Sequence, residues 1–362
     1  MDRGGAETLI MNIYRNIDKS KVQFDFVTHS EKKGDYDEEI ISMGGNIYRI
    51  PSLGTKGPIS YIKELKKIMT STKYSAVHAH TDYQCGFPAL AAKMSGIKTR
   101  ICHSHSNNWL KSNRTAENIL LYFLRKIIRF SATHYCSCSL EAARFLFGEK
   151  NKEISRVRIL NNGIDVSQFS NTDSKDRDSV INELGLQKEV KLIGHIGKFS
   201  PSKNQYFILK VLEQLVKVDN SFRAIFVGDG PLRNEIEKEV LKLGLKDYVL
   251  LLGVRRDIPR LMNAFDVFIF PSLFEGFGIV TIEAQSTGTP CVIADTVPKE
   301  TDMGLGLVSY LNLNENLDTW CFKINEALLI KKPDKQTIEN NVTQSGYNIK
   351  DNVKFWLDLY GV

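Results

Sequence analysis

Apolar runs of strand length alternate along the whole chain with segments whose apolar residues recur at helical spacing. Short apolar, β-branched runs predict strands, and spacings of three and four residues predict amphipathic helices. In the first half the predicted strands are 22–29, 46–50, 75–80, 99–105, 133–139 and 157–160. In the second half they are 191–197, 222–228, 248–253, 266–270 and 290–295. The alternation of strand and helix predicts an α/β protein with two doubly wound, Rossmann-like parallel sheets.

The boundary between the two predicted domains falls near residues 161–179. A short strand there is followed by a polar stretch rich in Ser and Asp, which is typical of a linker. The expected division is a first domain over 1–170, a second domain over 171–345 and a closing segment over 346–362 that contains a helix at 347–360.

The bulk composition is that of a globular protein, with 42% hydrophobic and 25% charged residues among 362. The sequence contains no run of 18 apolar residues and no signal-peptide-like apolar region, so we expect a cytoplasmic protein. The six cysteines form no CxxC pair, which argues against a disulfide framework or a zinc finger and favours buried free thiols.

Charge is distributed unevenly between the two halves. Residues 1–170 carry 25 Lys and Arg against 16 Asp and Glu, a net +9, whereas residues 171–362 carry 23 against 26, a net −3. A basic half suits nucleic acid, an anionic membrane surface or a pyrophosphate-bearing acceptor. Because no helix-turn-helix, zinc-finger or RNA-binding aromatic pattern accompanies the charge, we do not expect nucleic acid as a partner.

Two carboxylates, Glu275 and Glu283, stand eight residues apart across a glycine-containing loop that leads into a helix beginning near Ile279. A loop and two helical turns separate them by roughly 10 Å, a span that suits the two ends of a nucleotide-sugar. The backbone amides of Gly276, Phe277 and Gly278 lie at the helix N-terminus, where a phosphate is favoured. The alternative is an ordinary amphipathic helix with two solvated glutamates.

The segment FEGFGIVTIEA (residues 274–284) resembles the E-x7-E signature of retaining glycosyltransferases with the GT-B fold, in particular glycosyltransferase family 4. The motif NGID at 162–165 is similar to the family's interdomain segment, and the last helix resembles the one that crosses back onto the first domain. The likeness covers almost the whole chain. It implies two Rossmann-like domains facing a cleft that binds a nucleotide-sugar.

Two lysines follow the strand at 191–197. The resemblance implies that this segment supplies an arginine and a lysine to the donor diphosphate. Lys203 stands where the lysine is expected, and Lys198 replaces the arginine, which keeps the charge but loses the bidentate fork. We therefore expect a looser grip on the diphosphate. Two solvated turn lysines are the alternative.

Further donor contacts are implied by the resemblance. The turn GDGPL (228–232) corroborates the order of the family's motifs, and backbone groups around Val254 and Arg255 are expected to hold the base. Gly4 and Gly5, in the segment GGAE, open the first helix and match a family loop that faces the donor. Ile279 completes the expected donor-binding set.

Two His-x-His pairs, 78–80 and 103–105, lie at the C-terminal ends of predicted strands, where ligand crevices open in parallel sheets. The resemblance places His105 near the reacting sugar, with His103 as the alternative. For His78 and His80 we favour a hydrogen-bonded, non-catalytic role. Alternate residues share a strand face, which also suggests a metal. Since no carboxylate or cysteine motif completes a site and the family needs none, we expect neither metal nor cofactor. The motifs DYD (35–37) and DRD (176–178) are interpreted as solvated charge.

Two features depart from the family or leave a choice open. The family begins with a hydrophobic strand before its glycine-rich loop, and that strand is missing here, so we expect a weakened first domain if this is the true start. The segment 110–130 places Lys111, Arg114, Arg125, Lys126 and Arg129 around an apolar face of Ile119, Leu120, Phe123 and Ile127. An interfacial helix and a core helix with a basic solvent face are equally consistent with it.

The expected function is transfer of a sugar from a nucleotide-sugar, for which a UDP-sugar is favoured, with retention at the anomeric carbon. The segments GKFSPSKN, GVRRDIP and DTVPKET resemble bacterial exopolysaccharide and capsule enzymes. This implies a lipid-pyrophosphate-linked or saccharide acceptor and peripheral association with the inner face of the cell membrane. Glu275, His105 and Lys203 are the predicted catalytic residues. The alternatives are a hydrolysing nucleotide-sugar epimerase and an inactive nucleotide-sugar-binding protein.

Overall fold

The structure, a computed structural model, describes residues 1, 4–106, 114–148, 154–170 and 175–362. The chain forms two compact units. The first consists of Met1–Ile164 together with Tyr347–Val362, and the second of Asp165–Gly346. Each unit is built on parallel β-structure with helices between the strands, so the predicted α/β class is confirmed.

The first unit contains six short strands and seven helices in the parts of the chain that the structure describes. The strands are β1 (Phe26–Thr28), β2 (Ile47–Arg49), β3 (Ala76–Ala79), β4 (Thr99–Ser104), β5 (His134–Ser137) and β6 (Val157–Ile159). The helices are α1 (Gly5–Asn16), α2 (Asp37–Ser42), α3 (Leu53–Ser71), α4 (Gly86–Met94), α5 (Arg114–Ser131), α6 (Leu140–Phe147) and, from the end of the chain, α15 (Ile349–Tyr360).

The strands of the first unit form two separate parallel sheets. One pairs β1 with β2, and the other has the order β3-β4-β5-β6. Helix α15 packs against the rest of this unit because its apolar residues recur at helical spacing. Its residues Val353, Trp356 and Leu359 are all buried. Just before α15 begins, the backbone at Ile164 is hydrogen-bonded to the segment that leads into the helix. The Ile164 amide donates to the Tyr347 carbonyl at 2.8 Å.

The second unit contains one six-stranded sheet. Its strands are β7 (Lys191–Ile196), β8 (Phe222–Val227), β9 (Val249–Gly253), β10 (Val267–Phe270), β11 (Cys291–Ala294) and β12 (Val308–Leu311). Its helices are α7 (Val166–Ser170), α8 (Lys175–Glu183), α9 (Gln205–Val218), α10 (Arg233–Lys242), α11 (Ile258–Ala264), α12 (Ile279–Ser286), α13 (Leu317–Ala327) and α14 (Lys335–Gln344).

The order of this sheet, β12-β11-β10-β7-β8-β9, sets the position of the site. The chain starts in the middle at β7, adds β8 and β9 on one side, and then returns to add β10, β11 and β12 on the other. The order therefore reverses between β7 and β10. In open parallel sheets, ligands bind beyond the carboxyl ends of the strands at such a reversal.

Burial explains why these segments become strands. All four residues of β10 and all four of β11 are buried, as expected where helices cover both faces of a parallel sheet. Helix α9 covers the sheet with Ile208, Leu212 and Leu215, which fall on one helical face. Continuous apolar runs are therefore required in the central strands, and the sequence supplies them.

Several expectations differ from the structure. Strand β12 was not predicted, because it is a partly exposed edge strand without a long apolar run. The stretch 161–179 is not wholly a linker, since α7 and the start of α8 lie within it and bury Val166 and Phe169. Asp37 of the DYD motif is buried rather than solvated, because Arg49 and the Gly34 amide donate to its carboxylate.

Two other expectations concern thiols and membrane spans. All six cysteines are free, and five of them are buried, which confirms the interpretation as free thiols. None of the helices within the described ranges combines the length and the apolar character needed to cross a membrane.

Candidate donor site

The loop that follows β7 and the loop that follows β10 are held together at the point where the sheet order reverses. The Asn204 side chain donates to the Pro271 carbonyl at 3.1 Å, and the Leu273 amide donates to the Ser202 carbonyl at 2.8 Å. Asn204 adopts a left-handed conformation with φ of 55°. These contacts align the segment carrying Lys203 with the segment carrying Glu275.

Lys203 and Glu275, two of the predicted catalytic residues, form an ion pair. The Lys203 Nζ lies 2.5 Å from Glu275 Oε1 and 4.8 Å from the centre of the Phe270 ring. Glu275 is only 8% exposed. Since removing one partner of a buried ion pair leaves the other charge uncompensated, each residue depends on the other. The pair presents a cation and a carboxylate at the carboxyl edge of the sheet.

Helix α12 begins directly beyond this pair. Gly278 stands at its N-cap in a left-handed conformation, with φ of 89°, and Ile279 is the first helical residue. The chain reverses tightly there, since a Cβ on Gly278 would lie 3.2 Å from Val297 Cγ1. Gly276 and Phe277 precede the helix N-terminus, as the sequence predicted. Phosphate binding by these amides stays a prediction.

Glu283 lies within α12 and is buried. Burial raises the pKa of its carboxyl to about 7, because the charged form loses its hydration. Hydrogen-bond donors that reached the buried carboxylate would stabilise its charged form and lower this pKa.

The turn GDGPL is packed against the loop that carries the first lysine. Gly228 has a φ of 130°, and a Cβ there would lie 2.2 Å from the Gly197 carbonyl oxygen. The Phe199 amide donates to the Asp229 carbonyl at 3.0 Å, and the Leu232 amide donates to the Phe199 carbonyl at 3.2 Å. Only glycine permits this approach at 228. The turn therefore fixes the backbone on either side of Lys198, whose side chain is exposed.

Sequence reasoning missed a series of buried, hydrogen-bonded polar groups next to this loop. The His195 ring lies 3.1 Å from the Ile269 carbonyl through Nδ1, and its Nε2 lies 3.3 Å from the side-chain nitrogen of Gln205. Gln205 also donates to the Lys198 carbonyl at 3.0 Å. Burial lowers the pKa of His195 to about 4, which keeps the ring neutral. A polar residue inside an apolar strand, as in LIGHIG, was the available signal.

The predicted base-binding segment follows β9. Val254 is about half exposed. The Arg255 guanidinium donates to Asp257 through two bonds of 2.8 Å and to Glu183 at 2.7 Å. These carboxylates raise the pKa of Arg255 and fix the side chain. The prediction for this segment concerned backbone groups, and it stays a prediction.

The remaining predicted residues lie in the first unit. Gly4 is the N-cap of α1 and Gly5 its first residue. His105 follows β4, and its backbone amide donates to the Asp82 carboxylate at 2.6 Å. Asp82 has a φ of 47° and also accepts from the Ser106 hydroxyl at 2.9 Å. His103 is fully buried, and its place as the alternative to His105 stays a prediction.

The lysine, the carboxylate and the helix N-terminus at the reversal point are typical of the class of α/β proteins that bind anionic, nucleotide-like ligands. Comparisons with known proteins narrow this class. A model of the glycosyl transferases group 1 matches residues 176–342, and a model of glycosyltransferase family 4 matches residues 3–168.

Individual relatives agree with the family models. EpsF of Bacillus subtilis, named as a glycosyltransferase, is 41% identical over 100% of this chain and 94% of its own. A UDP-Gal:alpha-D-GlcNAc-diphosphoundecaprenol alpha-1,3-galactosyltransferase of Escherichia coli is 26% identical over 83% of this chain and 80% of its own. The chain therefore belongs to glycosyltransferase family 4, as its E-x7-E motif predicted.

Solved structures support the fold. HepE of Anabaena, in complex with UDP-glucose, matches with a TM-score of 0.79 at 20% identity, over 99% of this chain and 96% of its own. The protein is thus an enzyme, a glycosyltransferase of the GT-B type.

Proposed function

We propose that this glycosyltransferase moves a sugar from a UDP-sugar to a lipid-pyrophosphate-linked or saccharide acceptor, with retention at the anomeric carbon, during synthesis of a bacterial surface polysaccharide. The observation that carries the proposal is the ion pair of Lys203 and Glu275 at the reversal point of the sheet. It places a cation for the diphosphate next to a carboxylate for the donor sugar.

The proposed roles follow from charge. The bond between the anomeric carbon and the diphosphate oxygen breaks, the acceptor hydroxyl oxygen bonds the same carbon, and its proton leaves with the UDP. Lys203, Lys198 and the amides of 276–278 stabilise the charge that develops on the diphosphate. Glu275 orients the donor sugar, Glu283 accepts from the ribose hydroxyls and His105 lines the sugar site. None of these roles requires a metal.

Two relatives support the choice of substrates. HepE has been solved with UDP and with UDP-glucose, which supports a uridine nucleotide donor. The name of the Escherichia coli relative specifies a diphosphoundecaprenol acceptor, which supports a lipid-linked acceptor here. An acceptor of that kind is held in a membrane, so the enzyme would work at the cytoplasmic face of the cell membrane.

Helix α5 supports peripheral membrane association. It buries Leu121, Leu124 and Ile128, whereas Ile119, Leu120 and Phe123 of the predicted apolar face are 57%, 49% and 56% exposed. The helix is thus packed on its unit and also presents apolar side chains to solvent, which combines the two alternatives left open by the sequence.

The basic residues of this helix are not equivalent. Arg125 donates to the Leu146 and Phe145 carbonyls and is unsuited to lipid, whereas Lys126 is exposed. Lys111 lies outside the described residues, and so does the side chain of Arg114. Arg129 is partly buried, so Lys126 is the basic residue of this helix that we place at an anionic lipid surface.

Product analysis tests the proposed function. The protein is incubated with a panel of UDP-sugars, with and without an undecaprenyl-pyrophosphate-linked sugar, and the products are separated and their anomeric configuration determined by NMR. An α-linked product from an α-linked donor is expected. Release of free sugar without any acceptor would identify a hydrolysing epimerase instead, and the lack of any thermal shift with UDP or UDP-sugars would identify an inactive protein.

A further inference from the structure

We propose that His78, His80 and His103 bind one divalent metal ion of the zinc type beneath helix α15. His78 and His80 alternate on one face at the end of β3, and His103 lies on the neighbouring strand β4, where Ala79 pairs with Cys102. Parallel pairing therefore brings three imidazoles to one side of the sheet. All three histidines belong to the first unit, whereas Lys203 and Glu275 belong to the second.

The spacing of the rings suits a shared ion. One ring nitrogen from each histidine lies within 4.8 Å of the others. The ring centres are 4.1 Å apart for His78 and His80, 5.1 Å for His80 and His103, and 5.2 Å for His78 and His103. Imidazoles bound to zinc at about 2.0–2.1 Å have ring centres roughly 5 Å apart. The His78 and His80 rings would have to move apart by roughly 1 Å to reach this spacing.

The His78 and His80 rings each make a hydrogen bond through Nδ1, the ring nitrogen that would not bind the metal. His78 Nδ1 lies 2.8 Å from the Tyr360 hydroxyl, and His80 Nδ1 lies 2.8 Å from His105 Nε2. Histidines that bind a metal usually donate their second ring N–H to a hydrogen-bond acceptor, and the Tyr360 oxygen and His105 Nε2 can both accept. These bonds leave Nε2 of His78 and Nε2 of His80 as the nitrogens for the metal.

His103 provides the third nitrogen. Its Nδ1 lies 3.1 Å from His78 Nε2, so an ion about 2.05 Å from both would subtend an angle of about 100°, close to tetrahedral. Its Nε2 is buried and lacks a hydrogen-bond partner. An ion on Nδ1 would take the place of the proton that His103 and His78 now share, and Nε2 would remain the N–H of the ring.

The chemistry of the donors selects the class of metal. Each of the three rings offers one nitrogen to the group, and neutral imidazole is the form that binds metals. Among the described residues, no carboxylate or thiol belongs to the group. Nitrogen donors alone favour zinc, cobalt, nickel or copper over magnesium or calcium. Three protein ligands also leave a fourth position for water.

Such an ion would link β3, β4 and α15. The Trp356 ring of α15 stacks on His80 at 5.6 Å and lies 4.7 Å from His78, and Tyr360 bonds to His78. The ion would also be one hydrogen bond from His105. Metal binding does not depend on the proposed sugar transfer, so the two can fail separately.

Cobalt titration of the untagged, full chain tests the proposal. After chelation and dialysis, the protein is titrated with Co²⁺ at pH 7.5 and followed by the visible absorption that marks four-coordinate cobalt, with displacement by Zn²⁺ and metal analysis as second readouts. We expect saturation at one equivalent. Single changes of His78, His80 or His103 to Gln are each expected to weaken binding at least about tenfold.

Two further variants sharpen the result. His134→Gln, on the next strand, changes a ring that bonds to Thr133 and should bind cobalt like the native chain. Tyr360→Phe should keep the stoichiometry and weaken the affinity, since it removes only an outer partner. The proposal is overturned if the native chain gives no saturable cobalt spectrum, or if all three His→Gln variants retain it. The native titration decides even if a variant fails to fold.

Discussion

At the residue scale, the charge on Lys203 is compensated by Glu275 before any donor arrives. Lys203→Ala removes the cation from the diphosphate and leaves Glu275 buried without its partner. We expect transition-state stabilisation to fall by about 2–4 kcal/mol, measured as the change in kcat/KM. The double variant with Glu275→Gln should lose less than the sum of the single changes, because the second change removes the uncompensated charge.

Lys198→Arg provides the control for this prediction. Lys198 is exposed in the same loop, and arginine there would present two parallel N–H groups in a fixed fork to the diphosphate oxygens. Its activity should equal or exceed that of the native enzyme. If Lys203→Ala keeps normal kcat/KM, the diphosphate is bound elsewhere and the roles assigned to this loop are wrong.

Glu283 is expected to make donor binding depend on pH. Its raised pKa, about 7, means that the carboxyl is mainly protonated at pH 6 and mainly ionised at pH 8. Ribose hydroxyls donate to the ionised form, so the affinity for UDP-glucose should fall as pH drops below about 7, by up to about tenfold per pH unit. Titration calorimetry from pH 5.5 to 8.5 measures this.

The matched variant is Glu283→Gln. It should bind UDP-glucose weakly, with little change across the same pH range. Because burial penalises the charged carboxyl, the native free energy of unfolding should decline as pH rises from about 4.5 towards 7, and the glutamine variant should lack this decline. If the native enzyme and Glu283→Gln showed the same pH dependence of UDP-glucose binding, Glu283 would be excluded as its source.

Glu275→Ala should chiefly lower kcat, since Glu275 is placed beside the anomeric carbon.

At the scale of elements, the turn between β7 and α9 depends on Asn204. Its left-handed backbone and its bond to the Pro271 carbonyl align the two loops of the donor site. Asn204→Gly keeps the backbone freedom and loses the bond, whereas Asn204→Ala also strains the turn by about 1–2 kcal/mol. We expect kcat/KM to fall in the order native, Gly, Ala. Equal activity in all three would show that loop alignment does not limit turnover.

The exposed apolar face of α5 gives a prediction for membrane binding. Phe123→Ser together with Leu120→Ser should reduce co-sedimentation with anionic vesicles, because less apolar area enters the interface. The control is Phe322→Ser, which changes a similarly exposed aromatic residue on α13 of the other unit. High salt should also reduce binding, since the basic attraction is screened over roughly 8 Å at physiological ionic strength. If neither high salt nor the double substitution in α5 reduced vesicle binding, α5 would have no role in membrane association.

Buried parallel strands were the elements most predictable from sequence, because continuous apolar runs such as 266–270 have few alternatives. The start of α12 at Ile279 was also predicted, from the glycine before it. Edge strand β12 was not, since a half-exposed strand needs no strong apolar pattern. The sequence left open which face of α5 is buried, because both faces contain apolar residues and burial depends on the elements packed against the helix.

At the scale of the whole molecule, the predicted donor contacts are concentrated in one unit. The donor residues in Asp165–Gly346 include both loops at the sheet reversal and helix α12. UDP-glucose should therefore slow amide hydrogen exchange most in 197–205 and 271–283, with smaller changes in the strands of the first unit. Mass spectrometry with and without ligand measures this. Protection confined to the first unit would relocate the donor site.

The whole fold was more predictable than the contacts of the site. Alternating strands and helices specify two parallel-sheet units, yet Lys203 and Glu275 lie 72 residues apart and meet only through the order of the sheet. The cross-strand contact of His78 with His103 likewise depends on register. Sequence identified these residue types at strand ends. It could not identify which of them touch.

The burial of the thiols has a practical consequence for spectroscopy. Five cysteines are inaccessible, and burial raises the pKa of the sixth, Cys321, to about 11, which leaves little of the reactive thiolate near neutral pH. The native chain should therefore give a low background with maleimide dyes. A cysteine introduced at the highly exposed Leu329 could carry a fluorophore without first removing the natural six.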